Sequence, residues 1–248
     1  MERTNYKLRL IEELAEAGNK KAMLEMARHH IDQKNEELPT EKSELILRCL
    51  VELSEDTAIS EDDKKHAMLL LGIMHYAGRG VERNYKEAVK WYEKAADKLD
   101  SYALCNLGYC YYYGRDVDID YQRAYSYFSQ SAFLGNPNAM YKLGDIFCNG
   151  YHVGEDKEAA FFWYTEAYNH TDDKSCERPN INYRLGKCFL HGDGTGQNLY
   201  AALGLLENAE LGFMKLIEDG DDFAELSLRD VRAKIDEART LIYKNLGL

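Results

Sequence analysis

Apolar residues along this chain recur at intervals of three and four, the spacing that gathers them on one helix face. Ala67, Leu70-Leu71 and Met74 form one such stripe, and Ala88, Trp91-Tyr92 and Ala95-Ala96 form the next. The two stripes then return as a pair. Ala67, Ala103 and Ala139 step by 36 residues, as do Leu71, Leu107 and Leu143, and Leu185 follows 42 later. Gly72, Gly108, Gly144 and Gly186 keep these steps, and so do Ala88, Ala124, Ala160 and Ala202. Self-similarity at such a period marks a repeat architecture, in which one helix pair cannot bury its apolar face alone.

Each unit therefore predicts two helices. The glycine after each repeated leucine costs about 1 kcal/mol relative to alanine inside a helix. Close helix–helix contact is the expected reason for it. The first half ends in glycine-marked loops: Gly78-Arg79-Gly80-Val81, Gly114-Arg115-Asp116-Val117, Gly150-Tyr151-His152-Val153 and Gly192-Asp193-Gly194-Thr195. Glycine just past a helix end accepts the left-handed conformation, and the following valine is expected to return to the core. Pro137 and Pro179 stand where a first helix starts, a position at which a missing N–H costs nothing. Beyond the repeats, Ala224, Leu228, Val231, Ile235, Ala238 and Ile242 predict one helix from about 222 to 246. Covering the last repeat is its expected role. The same spacing also fits a short coiled-coil seam between two chains.

These residues resemble the Sel-one-like repeat, a relative of the tetratricopeptide repeat. Leu71-Gly72, Gly78-Arg79-Gly80-Val81 and Glu87-Ala88-Val89-Lys90-Trp91-Tyr92-Glu93-Lys94-Ala95-Ala96 make one copy. The next copies are 101–136, 137 to about 178, and about 179–213. The resemblance is strong over 61–213 and weaker over 1–60, where Leu10-Ile11, Leu14-Ala15 and Gly18 look like half of a truncated repeat. Ala22, Met26-Ala27 and His30 look like a degenerate first helix, with a loop around Pro39 before another helix. The resemblance implies an all-α, right-handed α-solenoid of about twelve stacked helices, one continuous domain capped at both ends.

Composition narrows the function classes. The chain has 248 residues with 31 Lys plus Arg and 43 Asp plus Glu, a net charge of −12. A nucleic-acid binder needs a basic surface, so that class is disfavoured. No run of eighteen apolar residues occurs, so no membrane span is expected. The opening Met1-Glu2-Arg3-Thr4-Asn5-Tyr6 lacks the apolar core of a secretory signal. None of Cys49, Cys105, Cys110, Cys148, Cys176 and Cys188 forms a C-x-x-C pair, and the cysteine pairing of secreted family members is missing. Reduced thiols and a cytoplasmic location are the expectation.

Catalytic patterns are not found. His29 and His30 are adjacent and point to different helix faces, and His75 takes the register of Tyr111, Phe147 and Phe189, as a packed ring would. No His-Glu-x-x-His and no Gly-x-Ser-x-Gly occurs. Gly192-Asp193-Gly194-Thr195-Gly196 lacks the lysine and preceding strand of a phosphate loop, and the repeat register explains it as a turn. Glu218, Asp219, Asp221, Asp222 and Glu225 read as a solvated loop and helix start. No cofactor and no metal are expected.

Tyrosine is the feature with functional content: nineteen, against eight phenylalanines. In tetratricopeptide-like stacks the first helices line the concave face. By that resemblance the partner-binding candidates are Tyr76, Tyr102, Tyr109, Tyr112, Tyr113, Tyr141, Asp145, Asn149, Tyr183, Lys187 and His191. Tyrosine brings contact area and a hydroxyl with little entropy loss, which suits an interface. Structural lining of the inner curve explains the same residues equally. The expected function is a non-catalytic scaffold that binds a peptide or protein segment in this tyrosine-rich face, as a monomer rather than a dimer. The alternatives are a regulatory or adaptor subunit acting through the C-terminal helix, by dimerising or docking, and an enzyme with a groove site.

Overall fold

The computed structural model describes residues 2–32, 38–221 and 224–247. Among them are twelve helices and no strand. The chain divides into two compact units, 1–120 and 121–248. The first holds α1 (Glu2–Glu16), α2 (Lys20–Asp32), α3 (Thr40–Glu55), α4 (Glu61–Ala77), α5 (Tyr85–Ala96) and α6 (Ser101–Tyr113). The second holds α7 (Tyr121–Phe133), α8 (Pro137–Asn149), α9 (Lys157–Asn169), α10 (Arg178–His191), α11 (Leu199–Glu218) and α12 (Ala224–Leu246). The acidic cluster's Asp222 lies outside the described residues; α12 otherwise spans the expected tail helix.

Repeated local chemistry sets the helix boundaries. α4, α6, α8 and α10 each end at a left-handed glycine, Gly78, Gly114, Gly150 and Gly192, whose N–H donates back into the last turn. The chain then turns over at a second left-handed position, filled by Gly80, Asp116, His152 and Gly194 in register. Asp116 and His152 bear a cost there that glycine does not. Three of the second helices open on a side-chain cap: Asn84, Asp156 and Asn198 accept from backbone N–H groups three residues on. Their own N–H groups donate to His75, Phe147 and Phe189 in the preceding helix at 2.8–2.9 Å. This bond ties the two helices of a repeat together at the turn.

The paired helices meet at the repeated glycines. A Cβ on Gly72 would come within 2.3 Å of the Tyr92 ring, and one on Gly144 within 2.3 Å of Tyr164. On Gly186 it would meet Leu206 at 2.8 Å. The glycine is therefore the hole into which the second helix sets its large side chain. In the first unit one core joins Met26, Ile46, Leu50, Leu71 and Met74, with Val81 and Trp91 packed at its edge. In the second unit Leu206, Ala209 and Phe213 of α11 pack against Val231, Ile235 and Ala238 of α12. α12 thus packs along α11.

Candidate interaction surface

In the first unit the candidate tyrosines cluster on α6. Tyr102 is 57% exposed and Tyr113 is 47% exposed. The Tyr109 and Tyr113 rings lie parallel, 6° apart in tilt with centroids at 6.1 Å. Tyr112 meets Tyr113 edge-on at 4.8 Å. One turn of spacing on a helix explains the stack: residues i and i+4 share a face. Tyr76 of α4 is half-buried, with its ring edge-on to Tyr85 at 5.0 Å, and burial pushes its hydroxyl pKa up. It belongs to the packing more than to the surface.

In the second unit the candidates separate into buried and exposed groups. Tyr141 and Asp145 are both buried. Asp145 accepts from the Tyr164 hydroxyl at 3.0 Å, from Lys142 Nζ at 3.2 Å, and twice from the Arg184 guanidinium. Burial alone would raise the Asp145 pKa. The Arg184 and Lys142 cations outweigh it and hold the carboxyl well below its ordinary range. The Arg184 guanidinium also lies over the Tyr141 ring, 4.6 Å from its centroid. These side chains bind α8, α9 and α10 to one another, and their hydrogen-bonding capacity is spent inside the protein.

Asn149, at the end of α8, is exposed, and its amide donates to the Asp145 backbone carbonyl at 2.7 Å. Tyr183 of α10 donates to Asp230 of α12 at 2.7 Å, and Lys187 stands 5.3 Å above the Tyr183 ring. His191 lies 3.7 Å from Glu237, also on α12. The C-terminal helix therefore engages two of the fourth repeat's candidates. That contact joins positions 47 apart in sequence, and periodicity carries no signal for it.

Among the described residues no three His, Cys, Asp or Glu side chains come close enough to hold an ion. No described helix is long and apolar enough to cross a membrane. Cys110 and Cys188 are buried in the register of Met74 and Ile146, and burial pushes both thiols up to about 12.

The Sel1 repeat family model matches four times, at residues 65–98, 101–136, 137–172 and 182–210, which together exceed half of the chain. The chain belongs to the Sel1 repeat family. Solved structures agree on the all-α repeat solenoid. A Sel1 repeat protein from Oxalobacter formigenes is 20% identical with a TM-score of 0.64, covering 94% of this chain and 99% of that one. A putative Sel1 repeat protein from Klebsiella pneumoniae is 17% identical with a TM-score of 0.53, covering 90% and 98%. The protective antigen c5321 of uropathogenic Escherichia coli, which displays an SLR fold, is 22% identical with a TM-score of 0.55. There the match covers 89% of this chain but only half of the antigen's. No curated protein matches the chain significantly. At these identities the likeness establishes the fold. Sel1 repeat proteins are generally protein-interaction scaffolds and typically non-catalytic.

Proposed function

We propose that this Sel1 repeat protein is a non-catalytic scaffold that binds a peptide or protein segment on its first-helix surface, with the α6 tyrosines as anchors. The observation that carries this is the exposure of Tyr102 and Tyr113 beside the Tyr109–Tyr113 stack. Rings already held by one another lose little entropy when a partner covers them, and tyrosine pairs apolar area with a hydroxyl. Tyr109 and Tyr112 would support the anchors. In the second unit, Tyr141 and Asp145 hold helices to one another rather than face a partner.

The test is recovery of binding partners by purified wild type and by Tyr102→Ala/Tyr113→Ala, with circular dichroism to establish equal folding. Both positions are exposed, so the double variant is expected to fold. A partner bound directly by wild type and lost by the folded variant supports the reading. Equal binding by both removes α6 from the interface. The alternative is docking through α12, favoured by the exposed Leu226, Tyr243 and Leu246 on that helix. Retained binding by the tyrosine variant, combined with loss on Tyr243→Ala/Leu246→Ala, would select it.

A further inference from the structure

The step between the third and fourth repeats is 42 residues rather than 36, and the additional residues lie between α9 and α10. They are tightly bound. The buried Arg178 donates to the backbone carbonyls of Tyr168, Thr171 and Asp172 at 2.8, 2.5 and 3.2 Å, and lies over the Tyr168 ring at 3.8 Å. Asn138 of α8 donates to Glu177 at 3.0 Å and fastens the other end. Facing this loop, α11 has 20 residues where α5 has 12 and α9 has 13, so it runs on past the repeat. A cavity of about 440 Å³ opens between them, with Tyr168, Pro179, Asn182, Leu211, Lys215 and Leu216 among its walls. That volume lies in the range of small-ligand sites.

Asn182 is the anomaly in that wall. Its register partners are Met68, Leu104 and Met140, all buried and apolar. Asn182 is equally buried, 5% exposed, yet its Oδ1 has no hydrogen-bond partner. An unsatisfied buried amide is costly, so the fold loses by carrying asparagine where its siblings carry methionine or leucine. Turned toward the cavity, its carbonyl would recover the loss by accepting from a ligand. Of the cations at the cavity, Arg178 is taken up by the loop carbonyls and the Tyr168 ring, and the remaining charges, Lys174 and Lys215 against Asp173 and Asp219, balance and favour no charged ligand. Pro179, Leu211 and Leu216 supply apolar surface. A carboxamide, one acceptor and one donor set, complements a peptide group.

We propose that this cavity binds an uncharged secondary amide carrying an apolar group, the chemistry of a peptide link beside an aliphatic side chain. The proposal is independent of the α6 surface. The test titrates N-acetyl-leucine N-methylamide into the full-length protein and follows backbone and side-chain amide resonances. Saturable shifts confined to residues 168–182 and 208–219 are expected. Asn182→Met, which restores the residue of Met140, should weaken binding at least tenfold while raising the melting temperature. Leu211→Glu, at a position 66% exposed, should weaken binding without loss of folding. The charged analogue N-acetyl-leucine should bind several-fold more weakly. Tighter binding of an acetyl-Ala-Leu-Ala methylamide would identify a protein segment as the source, and equal binding a small amide. No saturable shift with any probe, or binding unchanged in Asn182→Met, would overturn the proposal.

Discussion

The Arg184 guanidinium grips the Asp145 carboxylate through two hydrogen bonds, Nε to Oδ1 at 2.5 Å and the terminal nitrogen to Oδ2 at 2.8 Å, and so joins α10 to α8. Both partners are largely out of solvent. Removing Arg184 leaves the buried carboxylate with Lys142 as its remaining cation, and breaking a buried pair of this kind costs about 3–5 kcal/mol. Arg184→Ala should lose that much stability in urea unfolding. Lys142→Met/Asp145→Leu/Arg184→Met, which removes both cations together with the carboxylate, should lose less than Arg184→Ala does. Equal losses would show that the pair is not a coupled node.

The same pair sets a pH dependence. Asp145 is held below its ordinary pKa of 3.8 because two cations outweigh its burial. A carboxyl with a depressed folded pKa adds stability above its unfolded value, and that stability drains away as pH falls toward the folded one. Wild type should therefore weaken below about pH 4 more steeply than Asp145→Asn. Parallel acid-denaturation curves would refute this.

Gly144 and Gly204 are both helical, and alanine should act on them in opposite directions. Alanine is favoured over glycine in a helix by up to about 1 kcal/mol. At Gly204 nothing lies within 4 Å of the new Cβ, so Gly204→Ala should stabilise by about that amount. At Gly144 the Cβ would press on Tyr164 at 2.3 Å, and overpacking costs about 1–3 kcal/mol. Gly144→Ala should lower the urea midpoint. A rise at both sites would mean that the repeated glycine is not there for helix contact.

The repeat, its loops and these contacts were legible because they depend on neighbours in sequence or on a fixed period. Gly72 and Tyr92 recur together as Gly144 and Tyr164, so the pattern marks the contact before the fold is seen. The candidate surface was legible only in part. Asp145 shares its register with Ile73, Tyr109 and Lys187, and that position alone assigned it to a binding face. Its burial follows from Arg184, whose register partners Leu70, Asn106 and Lys142 give no hint of the pairing. Tyr183 and His191 meet α12 through one-off contacts that no periodicity encodes. Asn182 did carry a signal, a lone polar residue in a column of Met68, Leu104 and Met140. Its meaning depends on the cavity beside it, which arises from two irregular lengths.

Thiol reactivity should report the fold directly. Cys176 is exposed in the α9–α10 loop, whereas Cys49, Cys110 and Cys188 are buried. The thiolate is the reacting species, and burial pushes Cys110 and Cys188 up to about 12. Maleimide labelling of the native protein, read by peptide mass spectrometry, should modify Cys176 first. Cys49, Cys110 and Cys188 should react only once denaturant is added. Early labelling of Cys110 would place the α6 packing in error.

His75 occupies the aromatic position held by Tyr111, Phe147 and Phe189, and its buried Nδ1 has no hydrogen-bond partner. Burial lowers its pKa from the ordinary 6.5, with Glu87 acting weakly in the other direction. The folded chain thus binds this proton less readily than the unfolded chain, and stability falls as pH drops below about 6.5. Phenylalanine keeps the ring, removes the orphaned nitrogen and has no proton to bind. His75→Phe should stabilise by about 1 kcal/mol near neutral pH, the ordinary penalty of one unsatisfied polar group. Its advantage over wild type should widen at about pH 5, where the histidine would otherwise have to charge on unfolding. Urea midpoints of the two proteins at about pH 8 and pH 5 check this. An advantage that shrinks at the lower pH would mean that the folded protein welcomes the proton, and that the histidine is a paired group rather than a misplaced ring.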